Sequence, residues 1–212
     1  MHGFRFYPCA AVDMEKGLGY SGIVYIRNMH ENGSRGNMRI SGVRLIAAAV
    51  PACLAALLVL VAASKFGPAV SHDSAAYLYA AESLMEGRGL VYFGYDTPFV
   101  QWPPIYPLLL FLTGKLGFSM TAAVCCINSA ALGTVVFAAS LWLRKSLKSF
   151  FIATLASLTL ALSVPMVQAF KYAWSEPVFI VFIMLFLVWL ETYLAGGKTV
   201  LLMLSAASAS LA

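Results

Sequence analysis

The chain has 212 residues, of which 61% are apolar and only 11% are charged. Soluble domains are about half apolar and about a quarter charged, so this composition excludes an ordinary soluble domain and indicates a protein of the bilayer. The formal net charge is +5. Because the basic residues are scattered between apolar runs and form no stripe that could follow phosphates, we expect no nucleic-acid partner.

The first 37 residues are polar and contain scattered glycines, with neither helical nor strand periodicity. We interpret residues 1–37 as a disordered extension or a mis-annotated gene start, and residues 38–212 as the membrane domain. A cleaved signal peptide is the competing interpretation of residues 38–64. The apolar core of that segment is too long for a signal peptide, which favours a membrane anchor.

Long apolar stretches predict the membrane-spanning helices, because a helix needs about 20 apolar residues to cross the hydrocarbon layer. The predicted spans are 45–64, 121–143, 149–170 and 177–194. The uncharged run from residue 199 onward is interpreted as a fifth span that is cut short. The predicted fold class is therefore an all-α membrane protein, a polytopic helical bundle whose outer loop, residues 65–120, carries short surface helices.

The distribution of basic residues predicts the orientation of this bundle. If the short apolar segment 104–114 lies along the membrane surface, the basic N-terminal segment, the cluster Arg144, Lys145 and Lys148, and Lys198 all share one side. The opposite side holds few basic residues on much longer loops, as the positive-inside rule requires for an outer face. We expect a multi-pass protein of a bacterial inner membrane with a cytoplasmic N-terminus.

The outer loop carries the residues that could take part in catalysis. Residues 71–87 predict a short helix that is capped by Ser71 or Asp73 and closed by Gly87. Asp73 and Tyr77 are four residues apart and share one face of this helix. Alone, the pattern is also typical of a surface helix with a capping aspartate and an interfacial tyrosine.

Three motifs follow one another along the membrane part of the chain. They are Asp73-x-x-x-Tyr77, the run Gln101-Trp102-Pro103-Pro104-Ile105-Tyr106-Pro107-Leu108-Leu109-Leu110, and Lys171-Tyr172-Ala173-Trp174-Ser175-Glu176-Pro177. In this order, with Glu86-Gly87-Arg88-Gly89-Leu90 between the first two, they resemble the GT-C membrane glycosyltransferases. The resemblance is to the branch of bacterial protein O-mannosyltransferase-like and lipid A aminoarabinose transferase-like enzymes, and it covers about residues 38–195. Several members carry two adjacent acidic residues at the first position, whereas Ser74 follows Asp73 here.

The resemblance implies transfer of a hexosyl or pentosyl group from a polyprenyl-phosphate donor to a lipid, glycan or protein acceptor on the outer face. It implies that Asp73 is the general base and that a single displacement inverts the sugar configuration. Glu176, at the start of the fourth span, is either a second catalytic carboxylate or a favourable charge at a helix N-terminus. Arg88, Lys115 and Lys171 are the candidate partners of the leaving phosphate.

Three aromatic residues, Tyr77, Trp102 and Tyr106, are candidate substrate-binding groups, although interfacial aromatic belts use the same residue types. The sequence assigns no metal ligands and no cofactor, and it leaves a divalent metal open. Further spans are expected beyond residue 212. The alternative to an enzyme is a non-enzymatic membrane component, either half of a transporter or a lipid-scaffold protein.

Polar residues within the spans have structural interpretations. Asn128 and Ser129 are interpreted as interhelical hydrogen-bonding groups. Glu191, near the cytoplasmic end of the fourth span, is expected to reach the headgroups or to pair with Lys198.

Overall fold

The computed structural model describes residues 42–94, 97–147 and 149–212. The predicted N-terminal extension, residues 1–37, lies outside these ranges. Within the described part, the secondary structure is helical apart from two isolated β-bridges. In chain order the helices are α1 (Gly42–Ala63), α2 (His72–Met85), α3 (Ile105–Lys115), α4 (Met120–Leu147), α5 (Phe150–Leu162), α6 (Val164–Lys171), α7 (Glu176–Leu194) and α8 (Thr199–Leu211).

Three helices of the described chain are long and apolar enough to cross a membrane: α1 from Leu45, α4 and α7. They coincide with the predicted spans 45–64, 121–143 and 177–194. Helix α8 is apolar but has only 13 residues. The all-helical fold is therefore as predicted, and the apolar helices indicate a membrane protein.

The third predicted span, 149–170, is not one continuous helix. It is divided into α5 and α6, whose axes differ by 48°. Ser163 lies between them with an extended backbone (φ −66°, ψ 130°). Pro165 explains the break, because it lacks the N–H that would continue the ladder to Ala161, and its ring would clash with that carbonyl. The sequence-based prediction overlooked this proline.

Helices α1 and α4 form the centre of the bundle and pack through small side chains. Ala52, Ala55 and Val59 of α1 are buried together with Leu132 and Val136 of α4. At Gly133 of α4, an added Cβ would lie 3.4 Å from the Ala52 carbonyl oxygen. Close backbone approach of this kind is how apolar helices associate without large side chains between them.

The bundle has two chemically different ends. At one end, which we call the basic end, Arg144 of α4 donates to the Ala47 carbonyl of α1 (2.7 Å) and to Thr154 of α5 (3.0 Å). Lys145 pairs there with Glu191 of α7 at 2.7 Å. The pairing of Glu191 is thus with Lys145, which corrects the expectation of Lys198. The neighbouring helix α4 supplies a closer cation than the loop that follows α7.

The opposite end, which we call the loop end, contains residues 64–94, 97–119 and 172–176. A parallel β-bridge joins Ala69 to Tyr172 there. The α5–α6 pair therefore runs from the basic end, where Thr154 contacts Arg144, to the loop end, where Tyr172 meets Ala69. Despite its bend, the pair connects the two ends of the bundle, so the loops before α2 and before α7 lie on the same side.

Helices α2 and α3 pack against each other at the loop end. Helix α3 buries Tyr106, Leu110 and Gly114 and exposes Leu108 and Leu112. Its 11 residues rise about 17 Å, which is too short to cross a bilayer. The short helix predicted for segment 104–114 is therefore present, whereas its position along the membrane surface stays a prediction. The Pro-Pro motif immediately precedes it, and Pro103 lines a cavity together with the beginning of α7.

Candidate functional site

The beginning of α2 is held by hydrogen bonds that do not involve Asp73. Ser71 is the N-cap residue, and with Ser74 it forms a reciprocal capping box. Its Oγ also accepts a 2.7 Å hydrogen bond from Nε1 of Trp174. Of the two predicted caps, Ser71 is therefore the correct one. Asp73 lies in the first turn, and its carboxylate does not cap the helix.

The segment before α7 is anchored from two sides. Asn128 of α4, which is 1% exposed, donates from its side-chain amide to the carbonyl oxygens of Phe170 (3.0 Å) and Tyr172 (2.7 Å). From the other side, the Ala173 amide donates to the Ala69 carbonyl at 3.1 Å. These contacts fix residues 170–173 and thereby determine where Ser175 and Glu176 stand.

The predicted interhelical role of Asn128 and Ser129 is confirmed. Ser129 donates to the Ala56 carbonyl of α1 at 2.8 Å. Asn128 satisfies the carbonyls that the end of α6 leaves without helical partners. The pattern of a polar residue in an apolar helix indicated such bonding, but it did not indicate the partner segment.

Tyr77 connects α2 to the beginning of α7. Its ring is 2% exposed, and its hydroxyl shares a 2.9 Å hydrogen bond with Ser175 Oγ. Burial raises the pKa of the Tyr77 phenol, the bond to Ser175 opposes this shift, and the negative charges of Glu176 and Asp73 raise the pKa further. The phenol is therefore neutral near pH 7. Both predicted catalytic carboxylates lie close enough for their charges to affect its pKa.

Asp73 and Glu176 are both exposed to solvent at the loop end. The Asp73 side chain is 53% exposed and lies 3.8 Å from His72 Nδ1. Glu176 is the first residue of α7, and Pro177 follows it in the first turn. An acidic side chain at this position interacts favourably with the helix N-terminus, so the structural role proposed for Glu176 exists alongside any catalytic role.

Aromatic rings form the wall between α2 and α3. Tyr77 packs against Phe99, Trp102 and Tyr106, with ring centroids 5.3–5.8 Å apart. Trp102 also stacks on Tyr92. The three aromatic residues singled out from the sequence are thus in one cluster, where aromatic pairs stabilise the packing beyond their buried area.

The Pro-Pro element determines where α3 begins. Pro104 is the N-cap residue, and the helix starts at Ile105. Tyr106 follows in the first turn and is 1% exposed. Burial is the largest cause of a strongly raised pKa of its phenol. The Tyr106 hydroxyl has no hydrogen-bond partner among the described residues.

A cavity of about 290 Å³ lies between the beginning of α3 and the beginning of α7. Its lining combines one carboxylate and two hydroxyl-bearing residues with apolar walls, and none of its residues is basic. The lining residues are Pro103, Ile105, Tyr106, Ser175, Glu176, Val178, Phe179, Leu211 and Ala212. Two predicted site residues, Tyr106 and Glu176, therefore face one space.

The three basic residues predicted to bind the leaving phosphate lie at different places in the structure. Arg88 follows the far end of α2, where it donates to Glu86 (2.7 Å) and to the Tyr79 hydroxyl (3.0 Å). These hydrogen bonds, that of Tyr79 first, raise the pKa of its guanidinium. Lys115 stands over the Phe111 ring at the end of α3. Lys171 is exposed, and its carbonyl accepts a 2.9 Å hydrogen bond from Ala69, two residues before Ser71.

The structure therefore brings Asp73, Tyr77 and Glu176 into one neighbourhood, with Trp102 and Tyr106 packed behind them. It brings Lys171 near this group and leaves Arg88 at the opposite end of α2. Sequence reasoning missed Ser71, Trp174 and Ser175 as the residues that join α2 to α7. Serine before a helix predicts a cap, but no sequence signal identifies a partner about a hundred positions away.

Among the described residues, no three His, Cys, Asp or Glu side chains are grouped as metal ligands would be. Comparisons with protein-family models, with curated proteins and with solved structures gave no significant match.

Proposed function

We propose that the chain belongs to a GT-C-like glycosyltransferase of a bacterial inner membrane, which uses a polyprenyl-phosphate sugar on the outer face. The observation that carries this proposal is the meeting of the three motifs at the loop end. Asp73, the Trp-Pro-Pro element and Glu176 are far apart in sequence, yet all three lie near Tyr77. Pro103 and Glu176 also line one cavity.

The proposed reaction is a single displacement at the anomeric carbon. The acceptor hydroxyl oxygen attacks this carbon while the bond between it and the polyprenyl-phosphate oxygen breaks, and the phosphate leaves with the electron pair. The hydroxyl proton passes to the Asp73 carboxylate. A general base in this position contributes about 10²- to 10⁴-fold to the rate, and the configuration of the sugar is inverted.

The surroundings of Asp73 support the role of base. Because Ser71 caps α2, the Asp73 carboxylate is not needed as the N-cap of this helix. It is exposed at the end of the bundle where α1 ends, and the proposal requires a polyprenyl-linked sugar to leave the hydrocarbon layer at this end. Tyr77, one turn further along α2, is buried and bonded to Ser175, so in this proposal it keeps Asp73 and Glu176 in one neighbourhood.

The leaving phosphate requires a cation. Lys171 is the better-supported candidate, because its backbone is bonded to Ala69 beside the cap of α2. Arg88 is already bonded to Glu86 and Tyr79.

Transfer measured in membranes tests the proposal. Membranes that contain the protein are supplied with radiolabelled polyprenyl-phosphate hexoses and pentoses, and label is counted in lipid, glycan and protein fractions. We expect one fraction to gain label with wild-type protein and to lose it with Asp73→Asn. Absence of protein-dependent transfer for every donor, with the protein present and folded, would favour the non-enzymatic alternative.

A further inference from the structure

Two aromatic rings, those of Tyr172 and Trp174, stack on each other in the segment before α7. Their centroids are 4.3 Å apart and their planes differ by 14°. The backbone at Tyr172 is extended (φ −84°, ψ 153°), and alternate side chains of an extended segment lie on the same side. Ala173 between them is fully buried in the core, whereas both rings remain partly exposed. The segment therefore presents these two rings, which we call the aromatic pair, on the side opposite Ala173.

The aromatic pair is held in place by groups other than its ring faces. Trp174 Nε1 donates to Ser71 Oγ at 2.7 Å. The carbonyl of Tyr172 accepts a 2.7 Å hydrogen bond from Asn128, and the Tyr172 backbone forms the bridge to Ala69. Because these bonds fix the pair in the free protein, binding on a ring face requires little ordering of the chain.

The orientation of Trp174 differs from that of an interfacial belt residue. A belt tryptophan keeps its apolar body in the lipid and its polar N–H in contact with water. The N–H of Trp174 is instead bonded to Ser71, the N-cap residue of α2. Every other ring atom is carbon, so the exposed part of this side chain is aromatic surface.

Two exposed carboxylates stand near the aromatic pair. Asp73 lies in the first turn of α2, two residues after Ser71, and Glu176 follows Trp174 by two residues. A bare alkyl chain makes no use of carboxylates. A sugar ring offers them hydroxyl donors, and it places its C–H face on the aromatic rings, whose faces are electron-rich.

We infer that the aromatic pair is a platform for the sugar ring of a membrane amphiphile, with the C–H face of the sugar on the rings and its hydroxyl groups toward Asp73. This inference rests on the proposed function, in which the platform holds a reacting sugar beside the base. A phosphate-linked donor and a phosphate-free glycolipid acceptor share this sugar chemistry. Exposed Lys171, directly before the pair, is compatible with a phosphate on the sugar.

Competition for photolabelling tests the inference without turnover. The full chain is extracted with a polymer, without glycoside detergents, and held in phosphatidylcholine nanodiscs. An alkyl glucoside with a diazirine next to its glycosidic oxygen is the label, and mass spectrometry locates the labelled peptides. The competitors have equal chain length and are the unlabelled alkyl glucoside, the glucosyl alkyl phosphate and the alkyl alcohol.

We expect label in the peptide that contains residues 171–176. The better glucose compound should compete about tenfold more strongly than the alcohol, for one ring contact together with one hydrogen bond. Stronger competition by the glucosyl phosphate would assign the platform to the donor, and stronger competition by the glucoside would assign it to the acceptor. Either result supports a sugar platform.

Tyr172→Leu removes one ring of the platform and leaves the bond between Trp174 and Ser71 in place. We expect glucoside binding to weaken about fivefold, as for the loss of one aromatic contact. Trp174→Leu is the second variant and should weaken binding at least as much. Tyr193→Leu on α7 and Trp142→Leu on α4 are the matched controls, because they make the same changes toward the basic end, and they should leave binding unchanged.

Three results separate the platform from the proposed reaction. Competition by the alcohol as strong as that by both glucose compounds would overturn the inference, as would unchanged glucoside binding by folded Tyr172→Leu and Trp174→Leu proteins. Labelling that depends on both rings, without sugar transfer from any donor, would support the platform and refute the proposed enzymatic function. Sugar transfer with an unchanged KM in both variants would overturn the platform and leave the proposed function standing.

Discussion

Replacing Asp73 by asparagine separates a catalytic carboxylate from a structural one. Asparagine has nearly the same size, but its amide cannot accept the proton of an attacking hydroxyl. If Asp73 is the general base, we expect transfer to fall by about 10²- to 10⁴-fold. This corresponds to about 2.7 to 5.5 kcal/mol of lost transition-state stabilisation.

The expected effect on stability is much smaller, for reasons visible in the structure. Ser71 provides the N-cap and the capping box of α2, so the substitution leaves the cap intact. The Asp73 side chain is 53% exposed and lies in the first turn, where a negative charge contributes about 0.3 to 1 kcal/mol through the helix dipole. We therefore expect a loss of at most about 1 kcal/mol in the free energy of unfolding.

The assay is the initial rate of sugar transfer in vesicles, measured together with thermal unfolding of the same preparation. Glu82→Gln is the matched control, because Glu82 is an exposed carboxylate on the same helix. It removes the same charge without touching the proposed site and should leave the rate unchanged. Glu176→Gln should reduce transfer by less than Asp73→Asn does. A folded Asp73→Asn protein with near-normal turnover would refute the assignment of Asp73 as the base.

Three further outcomes follow from the contacts at the two ends of the bundle. Ser71→Ala removes both the cap and the acceptor of Trp174 Nε1, so we expect about 2 kcal/mol of destabilisation in chemical unfolding; a loss no larger than that of a simple cap would show that the tryptophan bond contributes nothing. Asn128→Asp should destabilise more than Asn128→Ala, because a carboxylate would face two carbonyl oxygens, and equal losses would contradict the bonding described. In a cysteine-free background, cysteines at positions 86 and 171 should be labelled from one side of the membrane and a cysteine at 147 from the other, whereas labelling of 147 with 86 would refute the arrangement of the two ends.

Local patterns in the sequence were sufficient for most of the helices. The apolar stretches predicted α1, α4 and α7, because the length of an apolar run and its lack of charge are properties of adjacent residues. The short helix α3 was recognised for the same reason. Where the pattern failed, at Ser163, the cause was also local. Pro165 interrupts the hydrogen-bond ladder, although the hydropathy of the segment remains that of a span.

The pairing of Glu191 shows the limit of such reasoning. From the sequence, Lys198 was the nearest cation along the chain. In the bundle, α4 and α7 are neighbours, and Lys145 stands 2.7 Å from the carboxylate. Proximity along the chain predicts partners only within a helix or a turn, since contacts between helices depend on how the helices rotate about their axes.

The sequence by itself determined which residues are chemically capable, because Asp73, Tyr77, Tyr106 and Glu176 stand out by residue type against an apolar background. Only the tertiary structure decided which of them share a site. The bond of Tyr77 to Ser175 and the hold of Asn128 on the end of α6 each join positions more than forty residues apart. Such contacts depend on the packing of α1, α4 and α6, through which small and buried side chains let the backbones approach. That packing belongs to no single segment of the sequence.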